Sequence, residues 1–140
     1  MKKSILLVLC LVFILSLSST ALAASFNITG LAASDPLWSS QTCPKPAGEI
    51  AQGNIQISGN VYQQGTTTKT DFVARMYYQS TEAMNSTILC ASGGGGSLPL
   101  KSPYNTNQYD GQQFRMKFSH SHSYKVVASG EFWIGEGFSG

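Results

Sequence analysis

Two histidines separated by one residue, His120 and His122 in the run Ser-His-Ser-His-Ser, are the side chains whose spacing most directly suggests chemistry. On an extended chain, residues two apart project to the same side, so the two imidazoles could share a metal ion. Two ligands do not complete a site. A structural zinc takes four and a catalytic zinc three, and the chain has no third histidine. The pair is an incomplete metal candidate, weighed against a polar hairpin tip; joint charging and repulsion of the two at mildly acidic pH would make that loop pH-sensitive.

A histidine beside a carboxylate can also serve as general acid and base. His120 or His122 with Glu131 would give a small extracellular hydrolase of nuclease or glycosidase type, with a cleft at the 119–123 turn. Seven carboxylates permit such a pair on paper, and only separation in space decides it. The sequence carries no Gly-x-Ser-x-Gly and no His-Glu-x-x-His. The glycine run at 93–96 lacks the Lys-Ser/Thr of a phosphate loop. Asn105, Asn107 and Asp110 have the wrong spacing for a calcium loop, with Met116 near the place of the closing carboxylate. No cofactor is implied.

A third constellation consists of Arg75, Tyr77, Arg115, Lys117, Lys125 and Trp133, at alternate positions in segments whose other residues are apolar, with Arg75, Tyr77, Arg115, Lys117 and Trp133 as the candidate binding residues. Flat rings stack on sugar faces, and arginine donates in a fork to hydroxyls, carboxylates or phosphates. Such a surface suits an anionic or neutral polysaccharide. Its plain alternative is a solvated sheet face whose charges discourage edge association.

Period-two patterning must position these residues. In residues 112–135, Phe114, Met116 and Phe118 alternate with Gln113, Arg115 and Lys117, then Tyr124, Val126 and Ala128 resume, and Phe132 and Ile134 follow Gly130. This predicts a hairpin with an added third strand, bulged or bent at Gly130. Residues 70–79 place Phe72, Ala74, Met76 and Tyr78 on one face and Asp71, Val73, Arg75 and Tyr77 on the other. Residues 25–31 predict a first strand, residues 53–64 two β-segments or one bent strand with a bulge at Gly59, and residues 86–91 a strand carrying Ile88 and Cys90 inward. Pro36, Pro44 and Pro46 make 33–48 an irregular loop, with Trp38 as a lid on the core. Residues 93–111 form a second long loop.

The first residues combine Lys2 and Lys3, an apolar run of about 13 residues and the triplet Ala21-Leu22-Ala23, which together predict a secretory signal over 1–23 and a secreted domain over 24–140. The run falls short of the roughly 20 residues a membrane-spanning helix needs. The net charge of +2 is that of Lys2 and Lys3, so residues 24–140 are neutral and give no ground for a nucleic-acid partner. Cys43 and Cys90 remain after Cys10 leaves with the signal, and in an exported chain an even pair predicts one disulfide. Asn27 and Asn85 head glycosylation sequons that matter only in a eukaryotic source.

The sequence therefore predicts an all-β fold, a small antiparallel β-sandwich or barrel of about seven short strands with one disulfide. Its expected role is a secreted binding or interaction module for cell-surface or matrix carbohydrate, with no membrane span after signal removal. The rivals are the His120/His122–Glu131 hydrolase and a secreted toxin or antimicrobial protein.

Overall fold

A computed structural model describes residues 22–48 and 50–136; all of the expected signal except Leu22 and Ala23 lies outside them. The described chain forms eleven strands: β1 (Ala24–Leu31), β2 (Leu37–Trp38), β3 (Cys43–Pro44), β4 (Gln52–Ile57), β5 (Tyr62–Gln63), β6 (Asp71–Tyr78), β7 (Thr81–Glu82), β8 (Ile88–Ala91), β9 (Gly95–Pro99), β10 (Gln113–Ser119) and β11 (Val126–Ile134). They build two antiparallel sheets. Sheet I runs β1-β11-β4-β9 with β5 also on β11; sheet II runs β2-β10-β6-β7 with β3 also on β10 and β8 also on β6.

Alternation along each long strand divides it between one shared interior and the outside. From sheet I, Phe26, Ile28, Ile55, Phe132 and Ile134 are buried; from sheet II, Phe72, Met76, Phe114, Met116 and Phe118. The sheets meet at three rings, with Phe26 of sheet I 4.8 Å from Phe118 and 6.3 Å from Phe72 of sheet II. Fully burying each such side chain stabilises by roughly 1.5–3 kcal/mol, and this shared apolar layer gives the fold its sandwich-like character.

Three expectations change here. The strands β10 and β11 do not form a hairpin: β10 pairs with β2, β3 and β6, whereas β11 pairs with β1, β4 and β5. A tight hairpin turn favours residues at positive φ, and residues 120–125 supply none. The connection instead crosses from sheet II to sheet I. Second, Gly130 is not a bulge, since its register with Phe26 and Ile57 runs unbroken. Glycine is needed there because a Cβ would run into the Gln56 carbonyl oxygen and lie 2.8 Å from the Phe26 ring. The register shift of sheet I falls between Ile28 and Leu31 on β1. Third, both long loops contain strands. The glycine run enters β9, which pairs with β4, and the proline-rich segment supplies β2 and β3 on β10.

The predicted disulfide is also corrected, for Cys43 and Cys90 are free and buried. Cys43 pairs with Phe114, itself opposite Tyr78 on β6, while Cys90 pairs with Phe72 at the other end of β6. That offset along the strand, about 20 Å at roughly 3.3 Å per residue, far exceeds what a disulfide spans. Burial pushes both thiols up to about 12, so each packs as a small apolar side chain.

Candidate functional site

Pairing of β10 with β6 and β2 assembles the most distinctive surface. Arg115 lies opposite Tyr77, and Lys117 opposite both Arg75 and Trp38. Directly paired residues share a face, so these five side chains all leave the outer face of sheet II. The Trp38 indole reaches across β10 to meet Tyr77 edge to face, with ring centroids 4.9 Å apart at 74°. Arg115 places its guanidinium carbon 4.1 Å from the Trp38 ring centroid. Lys117 Nζ is 5.3 Å from the same ring and 5.8 Å from Tyr77. Trp38, Tyr77, Arg115 and Lys117 are all half-buried, which is how a ring cluster lying on a sheet face presents itself.

The cations of this cluster are held differently. Arg75 makes an ion pair with Glu82 at 3.6 Å. Among the described residues, Arg115 and Lys117 have no carboxylate partner and rest on rings instead. A ring quadrupole attracts a cation without neutralising it, so two positive charges stay available on this face.

Of the five predicted binding residues, four come together here and Trp133 does not. Trp133 lies on β11, opposite Asn54 of β4, and points from the outer face of sheet I. Trp38, expected as a lid on the core, takes its place in the cluster. The signal that could have found it was its spacing from β10, hidden because a two-residue strand between prolines has no readable period.

The histidines form a separate site on the crossover. His120 is buried; its Nε2–H donates to the Leu31 carbonyl at 2.7 Å, and its Nδ1 accepts the His122 backbone N–H at 3.1 Å. His122 Nε2 donates to Asp71 Oδ1 at 2.8 Å. The His120, His122 and Tyr124 rings stack in series, at 5.5 and 4.9 Å between centroids, and the Tyr124 hydroxyl bonds Thr70 at 2.8 Å. These bonds tie the crossover to β1 at Leu31 and to β6 at Asp71. Beside them Ala32, Ser34, His122 and Lys125 line a shallow pocket of about 280 Å³. Glu131 is not a partner of either imidazole; it is exposed on sheet I beside Gln56 and Gly59. Among the described residues no three His, Cys, Asp or Glu side chains are grouped to hold a metal ion.

One charged side chain lies in the interior. Lys45 is fully buried, and its ammonium donates to the Gly48 carbonyl at 2.6 Å, the Pro46 carbonyl at 3.3 Å and Asp110 Oδ1 at 2.6 Å. Three donors meet three acceptors, which is what an ammonium away from water requires. The Lys45 hydrogen bond, more than the opposing effect of burial, holds the Asp110 carboxyl below its ordinary range. This clamp fixes the loop after β3 to the loop before β10. No periodicity along the chain points to it. Among the described residues no helix is long and apolar enough to cross a membrane. Comparison of the chain with protein-family models, curated proteins and solved structures returned no match.

Proposed function

We propose that the protein is a secreted carbohydrate-binding module whose contact surface is the outer face of sheet II, with Trp38 and Tyr77 as ring contacts and Arg75, Arg115 and Lys117 as polar ones. The observation that carries this is the packing of an indole, a phenol and two cations into one half-exposed cluster. Solvated sheet faces ordinarily disperse their charges into water. Here ring area and hydrogen-bond donors are concentrated together, the combination that sugars use, since a pyranose offers an apolar face and a rim of hydroxyls. Export rests on the leader-like residues 1–23.

Glycan-array screening tests the proposal. The wild type is expected to bind a restricted set of glycans, and Trp38→Ala with Tyr77→Ala to lose them while the protein stays folded by circular dichroism. Undiminished binding by that double variant would refute it.

A second reading is favoured by the His122–Asp71 pair, since a carboxylate-oriented imidazole beside a pocket is the start of an acid-base site. It replaces Glu131 of the sequence-based expectation with Asp71. Hydrolysis of a glycoside or phosphodiester that disappears in His122→Ala would support it, and activity surviving that change would dispose of it.

A further inference from the structure

We infer that the sheet II platform selects anionic saccharides, carrying sulfate or carboxylate groups, over neutral ones, and that Arg115 with Lys117 makes the selection. This rests on the carbohydrate reading above and goes further by naming the ligand's charge.

The argument begins with how each cation is held. Arg75 already has a carboxylate, Glu82, at 3.6 Å. Arg115 and Lys117 are positioned by Trp38, at 4.1 and 5.3 Å from its ring. Arg115 places its guanidinium carbon over the indole ring and, among the described residues, makes no ion pair with a carboxylate. Its N–H donors are therefore not taken by an acid, while contact with the ring removes much of the freedom arginine would otherwise lose on binding. Arg115 is thus a pre-oriented two-pronged donor, the arrangement that matches planar or tetrahedral oxyanions. Lys117, two residues along the same strand and over the same ring, adds a second charge beside it, suited to a second anionic group on a linear chain.

Charge across the molecule supports the same direction. The strand residues facing outward on sheet I include Glu131 and no lysine or arginine, whereas those on sheet II carry Arg75, Arg115 and Lys117 beside Asp71, which His122 holds, and Glu82, which Arg75 holds. With both carboxylates engaged, Arg115 and Lys117 leave the sheet II face net positive, which attracts anions. Single-stranded nucleic acid also combines rings with phosphates, but its binding proteins line a groove with charge and offer flat stacking platforms for successive bases. Two available cations and an edge-to-face ring pair offer neither.

Calorimetric titration separates the possibilities. The probes are one oligosaccharide backbone in sulfated, carboxylated and neutral forms, plus a single-stranded oligonucleotide, measured at low and at physiological salt. The expected result is at least a tenfold preference for a charged form over the neutral one, weakening as salt rises. Arg115→Ala and Lys117→Ala should each reduce that preference severalfold. Arg115→Lys, which keeps the charge and removes the fork, should recover only part of it. The tighter of the sulfated and carboxylated forms identifies the anion. Equal affinity for charged and neutral forms would overturn the charge selection and leave the carbohydrate reading standing. Preference unchanged in both Arg115→Ala and Lys117→Ala would overturn the assignment to these residues. Oligonucleotide binding as tight as the best saccharide would overturn the ligand class. Binding of no saccharide would overturn this inference together with the reading beneath it.

Discussion

The two outer faces of the molecule each carry one tryptophan, and their surroundings differ. Trp38 on sheet II is packed against Tyr77, Arg115 and Lys117. Trp133 on sheet I stands opposite Asn54 on a face of serine, asparagine and glutamine with Glu131, where Asn54 Nδ2 donates to the Glu136 carbonyl at 3.2 Å. Both residues are half-buried on strands of one core. An aromatic residue at an outward strand position is therefore not in itself a binding feature. What distinguishes the sheet II face is the company that pairing with β2 brings, and that company is fixed by register rather than by composition.

The largest expected effect strikes both faces at once. Gly130→Ala would force a methyl against the Gln56 backbone and the Phe26 ring, and should destabilise by roughly 3 kcal/mol or more as an overpacked core does. Chemical denaturation checks this, and loss of both tryptophan environments in a single transition would show that one core supports the two faces. Next in size is the contrast itself. Trp38→Ala should weaken glycan binding about tenfold or more, equivalent to about 1.4 kcal/mol, while Trp133→Ala changes it less than about twofold in the same titration.

Acid separates the platform from the clamp beside it. Asp110 has its carboxyl lowered by Lys45, so its ionised form is favoured by folding. That contribution is complete above its ordinary value of 3.8 and is lost as pH falls through the lower folded value. Hydrogen exchange followed as pH is lowered below 3.8 should therefore show residues 45–48 and 110–112 loosening ahead of the Trp38 cluster, in which Arg115 and Lys117 have no carboxylate partner. The smallest effect belongs to Arg75→Ala. Its exposed pair with Glu82 contributes about 0–1 kcal/mol, so denaturation should barely register its loss.

Much of the fold was legible because period two survives wherever side chains are large. Phe72, Met76, Phe114, Met116 and Phe118 read inward from the sequence and are buried. Pairing was less legible. A polar six-residue connection between two alternating runs resembles a hairpin, and only the long-range pairing of β10 in sheet II and β11 in sheet I shows that it crosses between sheets. Glycine has no side chain to show a period, so β9 read as a loop. A pair of cysteines in an exported chain suggests a bond, but nothing along the chain reports that they sit level with opposite ends of β6. At the candidate site, strand alternation identified Arg75, Tyr77, Arg115 and Lys117 as outward. Which sheet each strand joins is a long-range property, and it brought in Trp38 and placed Trp133 elsewhere.

Because the chain has two tryptophans, one on each face, their indole N–H resonances report the two surfaces separately. Titration of a bound glycan into labelled protein, followed by nitrogen–proton correlation spectra, should move the Trp38 indole signal and leave that of Trp133 in place. Movement of the Trp133 signal alone, or of neither while binding is detected by calorimetry, would contradict the assignment of binding to the sheet II face.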